Sequence, residues 1–440
     1  MPYPFWDVPI GYGVLMATLA VFHVFVSHFA IGGGLYLVVN ETAARKAGDE
    51  ARLAFLQRLS KFFAMVTLVA GALTGVGIWF IIGLLAPSAT EALIHNYVWG
   101  WAIEWTFFVV EIAAAIFYFY GWKTMTAKAH IVMGWIYFAA SWLSLVIITG
   151  ILTFVLTPGK WLESGYFWHG FFNPTYWPSV FLRTGVCVML AGLYAMLVAS
   201  RLEAGDFKGR MVRNGATWGL LGLVLTAVFM KFWYLPTIPD SILKKAAQTM
   251  ATPMVSLQFN WYFAGGLAIL LLIIAATLHR RLPTLVAVLV MIAGMGWFGT
   301  FEWFRESLRK PYIITGYMYG NSQEVALTEA YKTKGLLSFI TYRTGDDGAD
   351  LFRHACRNCH TLDGYKALKP AFDGMDLPFI QGIVQRTHAL KGNMPPFLGT
   401  EAEAKLIAEY LYRHTDHRSV AAISGLQGEA LGAKVFALRC

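Results

Sequence analysis

The stretch LAVFHVFVSHFAIGGGLYL, residues 19–37, contains no Asp, Glu, Lys or Arg. About 20 apolar residues in a helix cross the hydrocarbon core of a bilayer, and this stretch with its flanks is long enough. Seven further apolar runs follow it along the chain. The sequence therefore predicts an all-α fold, a polytopic membrane helix bundle whose eight spans lie near 10–39, 60–86, 97–122, 129–156, 179–201, 215–236, 256–279 and 284–308.

The composition of the whole chain agrees with a membrane protein. Of its 440 residues, 57% are hydrophobic and 14% are charged, whereas a soluble globular domain carries about 25% charged residues. The net charge of +9 comes mainly from Lys and Arg in alternate loops, where basic residues orient a protein in the lipid bilayer. This pattern does not indicate nucleic-acid binding.

Basic residues distinguish the two sides of the membrane. They are concentrated after the first, third and fifth spans, at Arg45, Lys46, Arg52, Arg58, Lys61, Lys123, Lys128, Arg201, Lys208, Arg210 and Arg213. Loops rich in Lys and Arg stay in the cytoplasm. We therefore expect both ends of the membrane domain to face away from the cytoplasm.

A second decisive stretch is GADLFRHACRNCH, residues 348–360, which ends in C-x-x-C-H. This is the attachment signature of a c-type haem. We expect Cys356 and Cys359 to add across the two haem vinyl groups and His360 to ligate the iron. Because haem is attached to this motif outside the cytoplasm, the motif agrees with the orientation that the basic loops predict.

The second axial ligand of this haem is expected at Met394, in the proline-rich stretch GNMPPF, with an amphipathic helix at 400–414 after it. The layout resembles class I cytochrome c. A His and Met pair leaves no open position on the iron, so the domain is expected to carry electrons. The alternative, a zinc or redox C-x-x-C site, does not account for the adjacent histidine and the methionine loop.

The chain divides by composition into a membrane domain, a surface linker, a cytochrome c domain and a tail, at 1–311, 312–345, 346–418 and 419–440. In the tail, GAKVFALRC (432–440) repeats the spacing of GADLFRHAC (348–356). We expect the tail to be a linker in which a second haem c motif starts at Cys440. A chance match over nine residues is the alternative.

Ionisable residues inside the predicted spans are costly in lipid and therefore indicate function. The first span carries His23 and His28, five residues apart and hence on different faces. One of them is a candidate haem ligand, and a hydrogen-bonded core histidine is the alternative. The glycines at 32–34 would let a flat macrocycle or a neighbouring helix come close.

Carboxylates occur in two other spans. Glu104 and Glu111 in WAIEWTFFVVEIA are seven residues apart, on one face of the third span. Stacked carboxylates suggest a proton relay, and a structural carboxylate–Arg pair is the alternative. The eighth span ends in FEWFRESLRKPYIITGYM, residues 301–318, which holds two Glu and two Arg near the outer surface. An interfacial ion-pair cluster is the alternative there.

These stretches together resemble subunit I of the cytochrome bd oxygen reductases, over roughly residues 5–320. FHVFVSHFAIGGG is similar to the first-helix stretch of that family, and AIEWTFFVVE to its third-helix segment. The resemblance implies that His23 is a haem ligand and that Glu104 and Glu111 line a proton route. It also implies a subunit II-like membrane partner and a location in the bacterial inner (cytoplasmic) membrane, with the cytochrome c domain on the periplasmic side.

The segment ESLRKPY resembles the family segment E-x-G-R-Q-P-W, whose glutamate ligates the high-spin b haem. The resemblance implies that Glu306 is this ligand and that Arg309 is its basic neighbour. It implies membrane haem b, a d-type haem, or both.

The chain departs from that family where the low-spin haem and quinol bind. Arg183 stands where the family has a histidine ligand early in the fifth helix, and the partner methionine is replaced around Ala264. The loop at 237–255 is short where the family has a long quinol-binding loop, and the cytochrome c domain follows instead of the family's last helix. Haem c is therefore expected to replace quinol and the low-spin haem as the electron port.

Three functional interpretations stay open. The first is an oxidoreductase that takes electrons through periplasmic haem c to high-spin membrane haems and reduces O2 or a similar small ligand. The second is a quinol/cytochrome c electron-transfer protein that reduces no substrate of its own. Its membrane haems would be six-coordinate, each ligated by a pair among His23, His28, His130 and His169. The third is a subunit of a larger respiratory complex. A periplasmic cytochrome c or another electron carrier is the expected partner.

Overall fold

The computed structural model describes residue 6, residues 8–249 and residues 252–439, with the backbone alone at 252–255. The predicted all-α class is confirmed. The strands found in the described ranges are Tyr312–Ile314 and Met318–Tyr319, which pair antiparallel. Cys440, the predicted start of a second haem motif, lies outside these ranges.

Eight helices in the described part of the chain are long and apolar enough to cross a membrane, as predicted. We number these spans in chain order: Tyr12–Ala47, Glu50–Leu85, Pro87–Gly121, Ala127–Phe154, Tyr176–Ser200, Asp206–Thr237, Ser256–Leu278 and Thr284–Arg309. The second, third and sixth start about ten residues earlier than the predicted apolar runs, because polar residues extend these helices. At Glu50 the Asp49 side chain caps the helix by accepting the N–H of Arg52 at 3.0 Å.

Three of the spans contain π-helical turns, at Met65–Gly71, Met230–Tyr234 and Ile274–Leu278. The third span is kinked at Tyr97, where φ is −125° and ψ is 27°. A π-turn changes which face the residues after it present, and such turns are frequent at functional sites. The turn in the second span ends three residues before Thr74, which contacts the first span.

Glycines bring several spans into backbone contact. A Cβ at Gly32 would overlap the carbonyl of Cys187, and a Cβ at Gly34 would overlap the ring of Tyr137. Gly192 and Gly222 pack in the same way against the sixth and fifth spans respectively. Small residues let membrane helices approach closely. The glycines at 32–34 therefore serve helix packing, one of the two uses predicted for them.

The chain forms two compact units. Residues 19–77 and 93–308 form the first unit, a bundle with an apolar core that includes Phe29, Met189 and Trp297. The second unit comprises the described parts of 1–18, 78–92 and 309–440.

The core of the second unit is built from the helices Asp347–Ala355, Leu377–Gln385 and Glu401–His414. The segment 312–345, predicted as a surface linker, contains the helix Thr328–Lys334 and contributes Tyr331 and Leu336 to this core. The carboxylate of Glu403 accepts the N–H of Leu336 at 3.0 Å. The tail forms the helices Val420–Ser424 and Gly428–Arg439.

Within the second unit, the haem-attachment segment contacts the residues just before the first span and the end of the second span. The N–H of Tyr365 donates to the carbonyl of Ile10 at 3.4 Å, and Arg357 Nη2 donates to the carbonyl of Leu85 at 3.5 Å. A Cβ at Gly364 would overlap the carbonyl of Pro9. The cytochrome c fold is thus packed on the N-terminal residues of the chain.

Candidate functional site

His23 has a ring nitrogen suited to binding iron. Its Nδ1 lies 2.9 Å from Thr74 Oγ1, and Thr74 Oγ1 itself donates to the carbonyl of Ala70 at 2.6 Å. A hydroxyl has one proton to donate, so Oγ1 accepts the Nδ1 proton of His23. Nε2 therefore carries the lone pair, which is the state that a metal-ligating histidine requires.

The surroundings of His23 leave room for its ring. The residue is half-buried, and Gly75 of the second span faces it. A Cβ at Gly75 would lie 3.3 Å from Cε1 of His23. The donor atom, its hydrogen-bond partner and this space together fit a haem ligand.

The other histidines proposed as haem ligands have different environments. His130 is fully buried, and both of its ring nitrogens face acceptors, the carboxylate of Glu41 and the carbonyl of Tyr118. His28 donates from Nδ1 to the carbonyl of Val24 at 2.7 Å, and its Nε2 lies 3.4 Å from Arg183 Nη1. His169 is exposed, in the short helix Phe167–Phe171 and not in the loop that was predicted.

Arg183, which the resemblance matches to the family's low-spin haem ligand, forms an ion pair inside the bundle. Its Nη2 donates to Glu302 Oε1 at 2.6 Å, and the other carboxylate oxygen of Glu302 accepts from Arg305 at 2.9 and 3.0 Å. Arg183 is 2% exposed. A guanidinium has no acceptor or ligand atom, and the buried Ala264 offers none either. A low-spin haem therefore does not fit here.

The predicted residues at the end of the eighth span divide into two sets. Glu302 and Arg305 belong to this buried ion cluster with Arg183, which the sequence suggested only as an interfacial cluster. Glu306 follows one helical turn later, and both Glu306 and Arg309 are half-buried. The role of Glu306 as a haem ligand stays a prediction.

The third and fourth spans carry a ladder of polar side chains, which we call the polar ladder. Ser144 Oγ donates to Glu104 at 3.0 Å. Tyr137 Oη lies 3.2 Å from Glu111 Oε1 and 3.0 Å from the carbonyl of Ala30. Each rung is seven residues from the next on both antiparallel helices. None of the residues that the structure describes forms an ion pair with either carboxylate, which argues against the structural carboxylate–Arg pair.

A third rung completes the polar ladder at the end opposite to Glu104. The ring of Tyr118 stacks on that of His130, with centroids 4.2 Å apart, and Tyr118 Oη donates to the fully buried Glu41 at 2.8 Å. His130 Nδ1 lies 2.8 Å from Glu41 Oε1. Because His130 Nε2 donates to a carbonyl, one further proton lies between Nδ1 and the carboxylate. Glu41 was not among the predicted residues, although a carboxylate inside the apolar run LYLVVNETAA is a signal.

A cavity of about 260 Å³ lies beside the middle rung. Glu111 and Tyr137 line it together with Thr67 and Phe108. Most of its lining is apolar, and Glu111, Tyr137 and Thr67 are the polar residues that face it.

The haem c motif has the local geometry that its chemistry needs. The helix Asp347–Ala355 ends at Cys356, whose carbonyl accepts the N–H groups of Cys359 at 3.1 Å and His360 at 2.9 Å. His360 Nδ1 lies 3.0 Å from the carbonyl of Lys366, so Nδ1 is the protonated nitrogen and Nε2 is available to iron. No disulfide joins Cys356 to Cys359. Burial and the nearby Cys359 raise the pKa of the Cys356 thiol to about 12.

The Met394 loop is held by backbone and side-chain hydrogen bonds. The N–H of Met394 donates to the carbonyl of Lys391 at 2.8 Å, and His388 Nδ1 donates to the carbonyl of Met394 at 2.7 Å. Thr387 donates to the carbonyl of Pro395 at 2.8 Å. This fixed loop and the His360 tautomer fit a His/Met-ligated haem c.

The chain combines an apolar bundle of eight spans with a helical domain that contains C-x-x-C-H. A histidine inside the bundle has a ring nitrogen available to bind iron. These features define a multi-pass membrane protein of haem-based electron transport. Residues 343–411 match the family model "cytochrome C oxidase, cbb3-type, subunit III". Residues 14–233, half of the chain, match the model "cytochrome bd terminal oxidase subunit I". The chain belongs to the cytochrome bd terminal oxidase subunit I family, which confirms the resemblance seen in its motifs.

The fold is also similar to a solved structure. The bd oxidase from Geobacillus thermodenitrificans superposes with a TM-score of 0.61 at 14% identity, over 72% of this chain and 91% of that chain. No curated protein matches the sequence. The family matches, the fold and the motifs identify a respiratory oxidoreductase with haem cofactors.

Proposed function

We propose that this protein takes electrons through a periplasmic haem c, bound at Cys356 and Cys359, and delivers them to high-spin haem b, d-type haem or both in the membrane. The protein would thereby reduce O2 or a similar small ligand. His23 and Glu306 are the proposed membrane ligands. The lone pair on His23 Nε2, set by Thr74, is the observation that carries this proposal.

Each proposed ligand contributes a distinct chemical property. When bound, a haem with a single protein ligand supplies an open iron position for a diatomic molecule. The imidazole of His23 is oriented by Thr74, and the carboxylate of Glu306 is placed one turn from the Arg183–Glu302–Arg305 cluster. His360 and Met394 together leave no such open position, so the soluble domain transfers electrons.

The polar ladder supports proton delivery from the cytoplasmic side. Glu41 and His130 hold a proton at the inner end, and Glu111 and Glu104 follow toward the outer side. Seven residues of helix separate the rungs by about 10.5 Å, which exceeds one hydrogen bond. Proton transfer between rungs therefore requires bridging water, for which the cavity beside Glu111 provides space.

The proposed location and partners follow from the family and the basic loops. The protein would lie in the bacterial inner membrane with its cytochrome c domain in the periplasm. A subunit II-like membrane protein is the proposed partner, since the family model names a subunit I. A periplasmic cytochrome c or a similar carrier would donate electrons.

A second candidate function is an electron-transfer subunit without its own substrate reduction. The observation that favours it is the ion cluster of Arg183, Glu302 and Arg305. This cluster stands at the position matched to the family's low-spin haem, so the bundle would hold one haem fewer than the family's subunit I. In this case the membrane haem would relay electrons within a larger respiratory complex.

The reaction of the reduced protein with CO separates the two candidates. We expect CO to shift the spectrum of the purified protein, because a high-spin haem leaves iron open. We also expect His23→Ala to lose non-covalent haem and keep haem c, as counted by pyridine haemochrome. A reduced spectrum that CO leaves unchanged would favour the relay role, and full retention of non-covalent haem by His23→Ala would remove His23 as ligand.

A further inference from the structure

We infer that Thr74 is a positioning residue for His23, whose hydroxyl fixes the tautomer and the ring orientation in which Nε2 is the ligand atom. The inference rests on the proposed function, in which His23 binds a membrane haem. It assigns to the second span a role that none of the motifs in the sequence suggests.

The direction of the hydrogen bonds carries the inference. Thr74 Oγ1 lies 2.6 Å from the carbonyl of Ala70 and 3.2 Å from that of Gly71. Carbonyl oxygens only accept, so the single hydroxyl proton is directed to them. The contact of 2.9 Å to His23 Nδ1 therefore uses a lone pair of Oγ1, and the proton in it belongs to the imidazole.

The local helix geometry explains why Thr74 reaches the first span. The π-helical turn Met65–Gly71 ends three residues before it and changes the helical register. Thr74 is 8% exposed, and the adjacent Gly75 leaves space for the imidazole ring. A threonine that bonds back to the carbonyl four residues earlier is common in membrane helices; here its free lone pair is aimed at a neighbouring histidine.

A hydrogen-bond acceptor on Nδ1 has two effects on a histidine ligand. It fixes the ring orientation, and it makes Nε2 a stronger electron donor to iron. A stronger donor stabilises the oxidised iron, which lowers the midpoint potential of the haem. Removal of the acceptor is therefore expected to weaken the iron–histidine bond and raise the potential.

Thr74→Val tests this inference, because it keeps the shape of the side chain and removes the acceptor. Thr74→Ser retains the hydroxyl. Thr217→Val is the matched control, since Thr217 makes the same back-bond, to the carbonyl of Arg213 at 2.9 Å, on the sixth span. The readouts are the iron–histidine stretching band of the reduced membrane haem and its midpoint potential, with haem c as internal reference.

We expect Thr74→Val to lower the frequency of the stretching band and raise the potential of the membrane haem. Thr74→Ser and Thr217→Val should match the wild type. Loss of non-covalent haem from Thr74→Val but not from Thr74→Ser also supports the inference. An unchanged band and potential in Thr74→Val, or equal haem loss in both Thr74 variants, overturns it. Failure of the proposed function would give a different result from failure of this inference. If His23 binds no haem, His23→Ala would keep its non-covalent haem.

Discussion

Arg183 and Glu302 form an ion pair of 2.6 Å inside the membrane bundle, joining the fifth span to the eighth. Arg305 approaches the second oxygen of the same carboxylate at 2.9 Å. One carboxylate therefore serves two guanidinium groups. This arrangement makes the two partners of the ion pair unequal in their importance for stability.

Removal of Glu302 should destabilise the bundle more than removal of Arg183. Glu302→Gln leaves the buried Arg183 and the half-buried Arg305 without a carboxylate. Breaking a buried pair in this way costs about 3–5 kcal/mol. Arg183→Gln leaves the Glu302–Arg305 pair intact and should cost less. Thermal unfolding of the detergent-solubilised protein measures both.

A surface ion pair provides the control for this comparison. Arg280 and Asp206 are 3.0 Å apart and largely exposed, so Arg280→Gln should change the stability by less than about 1 kcal/mol. Equal losses of stability in Arg183→Gln and Glu302→Gln would contradict the prediction that Glu302 matters more than Arg183.

Glu111→Gln should slow turnover without loss of haem. The amide keeps a hydrogen bond with Tyr137 but cannot exchange a proton. Loss of a positioned proton-transfer group typically lowers the rate by about 10²-fold or more. Oxygen uptake with a reduced donor to haem c measures the rate. Glu163→Gln, in an exposed outer segment, is the control. Wild-type rates in Glu111→Gln would exclude the polar ladder as the proton route.

Asp346→Ala should destabilise the cytochrome c domain in a pH-dependent manner. Asp346 caps the helix before the haem motif by accepting the N–H of Ala349 at 3.0 Å, and it pairs with Arg413. These contacts lower the pKa of Asp346. Its contribution is therefore present above its unfolded-state pKa of about 3.9 and is lost as the pH falls through the folded-state value.

We expect the variant to lose about 1 kcal/mol at neutral pH and to approach the wild type below about pH 4. Thermal loss of the haem c circular dichroism in the intact chain measures this. Glu329→Ala, which removes an exposed pair with Lys332, should have little effect. A difference between Asp346→Ala and wild type that grows on acidification would show that another interaction dominates.

Gly32→Ala should impair the packing of the bundle. The added methyl group would overlap the backbone of Cys187, which cannot move as a side-chain tip can, and overpacking typically costs about 1–3 kcal/mol. At Gly266, on the seventh span, no atom lies within 4 Å of an added Cβ. The melting temperature should fall for Gly32→Ala and stay unchanged for the control Gly266→Ala. Equal melting temperatures of the two variants would show that the helices can separate at no cost.

Met394→Ala should lower the midpoint potential of haem c without releasing it. The thioether bonds to Cys356 and Cys359 would hold the porphyrin, whereas the iron would lose the ligand that raises its potential. Redox titration of the covalent haem measures the change, with Met375→Ala as a control in the same domain. A potential equal to that of the wild type would exclude Met394 as the axial ligand.

The features that the sequence predicted well are local ones. Apolar runs determine spanning helices by themselves, so all eight spans were predicted, and C-x-x-C-H is contiguous. The seven-residue spacing likewise placed Glu104 and Glu111 on one face. Helix ends were less accurate, because polar residues such as those at Glu50 extend helices beyond the bilayer.

The contacts that the sequence did not predict connect distant parts of the chain. Arg183 and Glu302 are 119 residues apart, and Glu41 and His130 are 89 residues apart. No local pattern encodes such a pairing in a single sequence. Thr74 was missed for another reason, because the π-turn before it changes the face that a regular 3.6-residue period would assign.

The matched spacing in the third and fourth spans constrains insertions and deletions. Each added residue rotates the helix beyond it by about 100°, so an insertion between Glu104 and Glu111 would turn one rung away from its partner while leaving the others in place. A compensating insertion between Tyr137 and Ser144 would be needed to restore all three. We therefore expect this pair of segments to change length together in related chains or not at all.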